Sequence, residues 1–193
     1  MRVERTVRPY SIRPAVPGDG PAAAQVVETV FREYGFGFDD DYMSDLYNLG
    51  EHFLAKGNAF WVATLKEPAE GLEKDAIIGT CAVELYSLLP GQPGTTVLHE
   101  GTVRAAGSDC SLERLYVLPS ARNLGLGSDL LRLAIQHGLS HSRTWMEIWS
   151  DKKLTLAHRL YEQFGAIRVG ERICNDPDQS PEWGMALELK KAN

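Results

Sequence analysis

The chain has 193 residues, 44% of them hydrophobic and 24% charged, with a formal net charge of −6. That is enough apolar material for one sizeable core, so a single domain over residues 1–193 is expected, and the negative balance gives no attraction to a phosphate backbone or an anionic membrane surface, which argues against nucleic acid and membranes as partners. The opening MRVERTVRPY alternates charged and apolar residues without the continuous apolar run of a signal peptide or membrane span, so a cytoplasmic setting is expected.

In chain order, residues 11–16 (SIRPAV) are predicted as a first strand, closed by Pro17-Gly18-Asp19-Gly20. Asp19 is placed to cap a helix over 22–34, where Val26, Val27, Val30, Phe31 and Tyr34 recur at helical spacing. A second helix is predicted over 42–56, with Leu46, Leu49, Phe53 and Leu54 inward and Gly57 as its stop. Between them lies the acidic loop Phe38-Asp39-Asp40-Asp41, with Asp45 just beyond. Residues 60–65 and 76–85 are apolar, rich in β-branched and aromatic side chains, and read as a hairpin. The stretch from about 90 to 108 has turn glycines and prolines and no sustained periodicity; it is read as an insertion loop between strands, with room for a short hairpin of its own.

A fourth strand is predicted over 110–118, stopping at Pro119, followed by a helix over 125–139 that buries Leu126, Leu130, Leu133, Ala134 and His137 or their neighbours. A fifth strand over 144–149 precedes a helix with the stripe Leu154, Ala157, Leu160, Tyr161 and Phe164, ended by Gly165, and two last strands cover 166–174 and 183–189. The three cysteines, Cys81, Cys110 and Cys174, show no disulfide framework or zinc spacing and are read as reduced and mostly buried. The five histidines show no metal spacing and are assigned to the surface or edges, so no metal is expected. Trp61, Trp145, Trp149 and Trp183 are assigned to the core.

The stretch from Leu115 to Ser128 (LYVLPSARNLGLGS) carries the chemistry. An apolar strand runs into a glycine-bearing turn and straight into an amphipathic helix. Backbone N–H groups at a helix start lack intrahelical partners and lie at the positive end of its dipole, and glycines let a diphosphate approach without Cβ clashes. Gly125 and Gly127 alone could do no more than shape a tight turn. There is no G-x-x-x-x-G-K-[ST] loop, and Leu130 stands where the third glycine of a dinucleotide fingerprint belongs.

Arg122-x-x-Gly125-x-Gly127, preceded by Leu115-Tyr116-Val117-x-Pro119, resembles the acetyl-CoA motif of the GNAT (GCN5-related N-acetyltransferase) superfamily. The opening Ser11-Ile12-Arg13-Pro14-Ala15 with Gly18-Asp19, and the late Leu160-Tyr161-Glu162-Gln163-Phe164-Gly165-Ala166, resemble that family's first and last signatures. The resemblance implies an α/β (α+β) fold: a mixed, mostly antiparallel sheet of about seven strands with helices on both faces, strands 4 and 5 splayed to admit pantetheine. Leu112, Leu115 and Val117 cannot share a face under strict alternation, so burying all three requires a β-bulge.

The implied activity is transfer of acetyl from acetyl-CoA, the co-substrate, to a primary amine, with a small-molecule acceptor favoured over a peptide; a homodimer has family precedent. The implied coenzyme contacts are Leu115, whose N–H would polarise the thioester carbonyl, Tyr116, Val117, whose backbone would hold pantetheine, and Arg122, Asn123, Leu124, Gly125, Leu126, Gly127 and Ser128 around the phosphates. The amine must lose a proton, and Glu113 stands where some relatives place a base; its bland alternative is a half-exposed strand glutamate paired with Arg114 or another cation. Tyr161, four residues before Gly165, matches the family's general-acid tyrosine, and its alternative is a core residue of its helix. Arg122 is otherwise a solvated arginine, and Ser150-Asp151 replace an asparagine found in many relatives, so no contact is assigned there. The acidic loop could draw a cationic amine by its field or simply cap helices. A non-catalytic acyl-CoA-binding module, an O-acetyltransferase and a longer acyl donor are the competing readings.

Overall fold

The computed structural model describes residues 8–54, 57–69 and 71–190. Seven strands form one sheet in the order β1 (Tyr10–Pro14), β2 (Ala59–Leu65), β3 (Ile77–Leu85), β6 (Cys110–Val117), β7 (Trp145–Asp151), β9 (Pro181–Glu188), β8 (Ile167–Ile173). Every neighbouring pair is antiparallel except β6 and β7. The helices are α1 (Gly20–Tyr34), α2 (Ser44–Tyr47), α3 (Leu49–His52), α4 (Leu126–Ser140) and α5 (Thr155–Gln163).

Alternation along the strands sends successive side chains to opposite faces. Phe60, Val62 and Ala82 join Ala23, Val27, Met43, Leu46, Leu49 and Phe53 under α1, α2 and α3. Their neighbours Cys81 and Val83 join Leu126, Leu130, Ala134 and Tyr161 under α4 and α5. Helices therefore cover both faces, and the sheet is the mixed, seven-stranded one expected.

Several local expectations need correction. Asp19 does not cap α1: its carboxylate accepts bonds from Arg13 at 2.6 and 2.8 Å and from the Val16 N–H at 2.8 Å, tying the end of β1 to the turn before the helix. The helix begins two residues early, at Gly20, where a Cβ would lie 2.5 Å from the Leu46 carbonyl oxygen, an approach that only glycine admits. The helix predicted over 42–56 is two short helices broken at Asn48, whose backbone (φ −118°, ψ 41°) leaves the helical region and whose Nδ2 donates to the Ser44 carbonyl at 2.9 Å. Such side-chain competition for a helical carbonyl is the usual behaviour of asparagine. The predicted end at Lys56 lies outside the described residues, as does most of the N-terminal MRVERTVRPY stretch.

Within 90–108 the chain makes a separate two-stranded sheet, β4 (Thr96–His99) with β5 (Thr102–Ala105). One buried carboxylate fastens it to the main sheet. Glu147 on β7 is 1% exposed and accepts from Arg104, from the Ala105 N–H at 2.8 Å and from Trp149 Nε1 at 2.9 Å. Glu147→Ala strands a guanidinium and two N–H donors at once, so denaturant unfolding is expected to show a loss of about 3 kcal/mol.

Candidate active site

The site is set by an irregularity in β6. Thr80 pairs with Tyr116 and Ala82 with Glu113, so Cys81 of β3 faces two residues, Arg114 and Leu115. Arg114 takes the left-handed conformation (φ 51°), and its carbonyl accepts from Thr80 Oγ1 at 2.7 Å. This bulge shifts the alternation by one, which lets Leu112, Leu115 and Val117 all join the cluster under α4 and α5.

Beyond the bulge the sheet opens. β6 and β7 pair only at Cys110 with Met146, Ser111 with Glu147 and Leu112 with Ile148, after which β6 continues to Val117 and β7 to Asp151 without a ladder between them. Two cavities meet at this gap and share Leu115, Tyr116, Leu154 and Ala157 as walls.

The first, about 300 Å³, runs along Val117 to the turn before α4 and is lined by Arg122, Asn123, Gly125, Leu126, Gly127 and Ser128, with Val30 and Tyr34 of α1 and Leu156 and Leu160 of α5 opposite. Asn123 (φ 61°) and Gly125 (φ 83°) bend the turn, and the first helical bond runs from the Asp129 N–H to the Gly125 carbonyl at 3.0 Å. Among the described residues, the N–H groups of 123–128 thus have no main-chain acceptor, which makes the turn a cradle for an anion. Leu124 does not line the cavity; its carbonyl accepts from Arg8 Nη1 at 2.7 Å. Arg122 is not a free solvated cation: its guanidinium holds Glu33 of α1 through two bonds of 2.7 and 2.6 Å.

Arg8 has no motif and was invisible in the sequence. Besides bonding Leu124, its Nε lies 3.2 Å from Asp129, which also accepts from Tyr10 Oη at 2.7 Å. It reaches the turn because β1 pairs with β2 at the sheet edge.

The second cavity, about 180 Å³, brings Glu113 and Tyr161 together with Leu115 and Tyr116. Burial pushes the Glu113 carboxyl up to about 7, helped by the charge of Glu84 and opposed by Arg114. Arg114 itself forks onto Asp45 at 2.9 and 2.8 Å, so it is not the strand partner of Glu113. Tyr161 is 4% exposed, and burial raises its phenol, with Tyr116, Cys81 and Glu113 adding to the effect and no hydrogen bond opposing it.

The acidic loop is largely engaged in structure. Asp45 holds Arg114, Asp40 accepts from Tyr47 Oη at 2.8 Å, and only Asp39 of the four carboxylates lines the cavity. The remaining acids come from elsewhere: Asp151 at the end of β7, and Asp176, Asp178 and Glu182 around the turn between β8 and β9. Two other expectations are corrected. His158 is buried, with Nε2 3.2 Å from Ser150 Oγ, rather than at an edge. Of the four tryptophans only Trp61 is in the core; Trp149 lines the cavity half-buried under Arg172, and Trp183 lies beneath Lys152 and Arg168. The cysteines are free, with Cys81 and Cys110 buried and Cys174 half-buried on the cavity wall. Among the described residues no helix is long and apolar enough to cross a membrane, and no group of three or more His, Cys, Asp or Glu could hold a metal ion.

Comparison with known proteins agrees with this geometry. The model of the acetyltransferase (GNAT) family matches residues 23–166. An uncharacterized N-acetyltransferase, YjgM of Escherichia coli K12, is 26% identical over 155 residues, covering 76% of this chain and 75% of its own. A GNAT-family acetyltransferase from Staphylococcus aureus Mu50 superposes with a TM-score of 0.70 at 16% identity, over 94% of this chain and 99% of that one. The putative acetyltransferase YncA from Salmonella typhimurium, solved with acetyl-CoA, gives 0.61 at 16% identity over 95% and 96%.

Proposed function

The chain belongs to the acetyltransferase (GNAT) family, and we propose that it moves an acetyl group from acetyl-CoA to the primary amine of a small molecule. The observation that carries this reading is the junction of the two cavities: a turn of unpartnered N–H groups opens, through a gap between strands, onto a half-buried carboxyl and a buried phenol.

The cradle fits a coenzyme A diphosphate, since it offers successive main-chain donors at a helix N-terminus and a glycine where the backbone turns left-handed. When bound, acetyl-CoA supplies an activated acyl carbon. The backbone of Val117 holds the pantetheine arm, and the N–H of Leu115, which lies at the bulge, polarises the thioester carbonyl. Glu113 takes a proton from the incoming ammonium, whose pKa is about 10 by analogy with lysine. The uncharged nitrogen attacks the acyl carbon, the C–S bond breaks, and Tyr161 gives its proton to the departing sulfur. The second proton released from nitrogen restores the phenol. This chemistry takes place with Glu113 and Tyr161 on walls of one cavity.

The test is release of free thiol from acetyl-CoA against a panel of amines, beside calorimetry with coenzyme A. Turnover with small amines supports the reading; binding without turnover of any amine replaces it with a non-catalytic acyl-CoA-binding module. Gly125→Ala is expected to weaken coenzyme A at least tenfold by calorimetry. A side chain at φ 83° costs about 1–2 kcal/mol, and its Cβ would fall 2.6 Å from Arg8 Nη1, so the backbone is strained and the Arg8 guanidinium must move off the turn.

A further inference from the structure

The second cavity has a polarity that acetyl transfer does not require. Its two arginines are already neutralised, Arg114 by Asp45 and Arg172 by Glu182 at 2.7 Å. Three carboxylates at the mouth have no cationic partner among the described residues. Asp39 accepts only from the Tyr42 N–H at 2.8 Å, Asp176 from the Ser180 N–H at 2.8 Å, and Asp178 from the Gly37 N–H at 2.7 Å. The last bond joins the loop after α1 to the turn between β8 and β9, so acids from two distant segments face one opening. Lys153 Nζ stands over the Phe36 ring at 4.9 Å, outside the cavity lining.

An acidic rim alone would signify only solvation. Here the same cavity is walled by Phe36 and Trp149 and by the buried Tyr161, 4% exposed, whose hydroxyl has no hydrogen-bond partner among the described residues. A ligand filling this space would meet a polar hydroxyl, aromatic walls and unpaired carboxylates.

We infer that the acceptor carries a second positive charge, a small diamine or polyamine whose reacting nitrogen lies between Glu113 and Tyr161 while its other ammonium rests among Asp39, Asp176 and Asp178. The inference rests on the acetyl-transfer reading above and sharpens its substrate class. Methylene groups between the two nitrogens fit the aromatic walls, where an ammonium also gains cation–π attraction. The volume of about 180 Å³ suits a short aliphatic chain rather than a folded partner.

The experiment compares chains of equal length in thiol-release kinetics: pentylamine, 1,5-diaminopentane and 5-aminopentanoate. The expected order of kcat/KM is diamine over monoamine by about tenfold or more, with the amino acid lowest, because a carboxylate would enter an acidic mouth. Asp176→Asn with Asp178→Asn is expected to bring the diamine down about tenfold toward the monoamine and to leave the monoamine within about twofold. Equal turnover of monoamine and diamine by the unaltered protein overturns this inference and leaves acetyl transfer to amines standing. So does turnover confined to peptides lacking a basic residue. If no amine is acetylated while coenzyme A binds, both readings fall together. The comparison among amines uses the unaltered protein, so a double variant that fails to fold does not remove the test.

Discussion

Tyr161→Phe is expected to lower kcat by a hundredfold or more while coenzyme A affinity and thermal stability stay near those of the parent protein. Three observations set that expectation. The phenol is 4% exposed and packs in the cluster under α4 and α5, so the ring is required for packing and the phenylalanine keeps it. No hydrogen bond contributes to its raised pKa, so removing the hydroxyl strands no partner. The hydroxyl lies on the wall of the cavity that holds Glu113, outside the cavity lined by the phosphate turn. A role confined to packing would leave kcat unchanged. Steady-state kinetics with calorimetry separate the two, because only a proton donor to sulfur loses turnover without losing coenzyme binding.

Glu113→Gln should be comparably severe, about a hundredfold or more in kcat, and it carries a signature in pH. With its carboxyl pushed up to about 7, the ionised base is scarce below that value. At saturating amine, kcat of the parent protein should rise about tenfold per pH unit up to about 7 and then level, and the glutamine variant should lack this limb. The stability effect runs the other way. The folded carboxyl keeps its proton where the unfolded one, near its ordinary value of 4.5, has lost it, so the unfolded state binds fewer protons and stability falls as pH rises from about 4.5 to about 7. Glutamine escapes that penalty. The variant should therefore melt higher than the parent at pH 8 and about equally at pH 4, inactive yet more stable, as expected of a carboxylate held in a dry place for chemistry rather than for folding.

What the sequence disclosed follows from range. The glycine turn before α4 was legible because its parts, Arg122 to Ser128, are consecutive and a strand-turn-helix is a local object. The bulge was legible from three residues, Leu112, Leu115 and Val117, whose spacing conflicts with a two-residue period. All seven strands of the main sheet could be placed, the central ones as apolar runs bounded by turn residues and the two edge strands, β1 and β8, from shorter mixed stretches. The helix over 42–56 failed because its apolar spacing is sound while Asn48 breaks the backbone locally, a conflict that periodicity does not weigh. The acids of the cavity mouth could not be assembled from the chain at all. Asp178 meets Gly37 across 141 positions, and the loop rich in aspartates turned out to supply only Asp39. Arg8 escaped notice for the same reason, since 116 positions separate it from Leu124.

Only three residue pairs bind β6 to β7. The molecule is thus two half-sheets, of four strands and three, stitched along a short seam. Glu113 and the glycine turn before α4 belong to the larger half, whereas Tyr161 rides on α5 between β7 and β8 of the smaller. A ligand lodged across the slot would touch both halves, so its binding is expected to raise the thermal stability of the seam as well as fill the cavity.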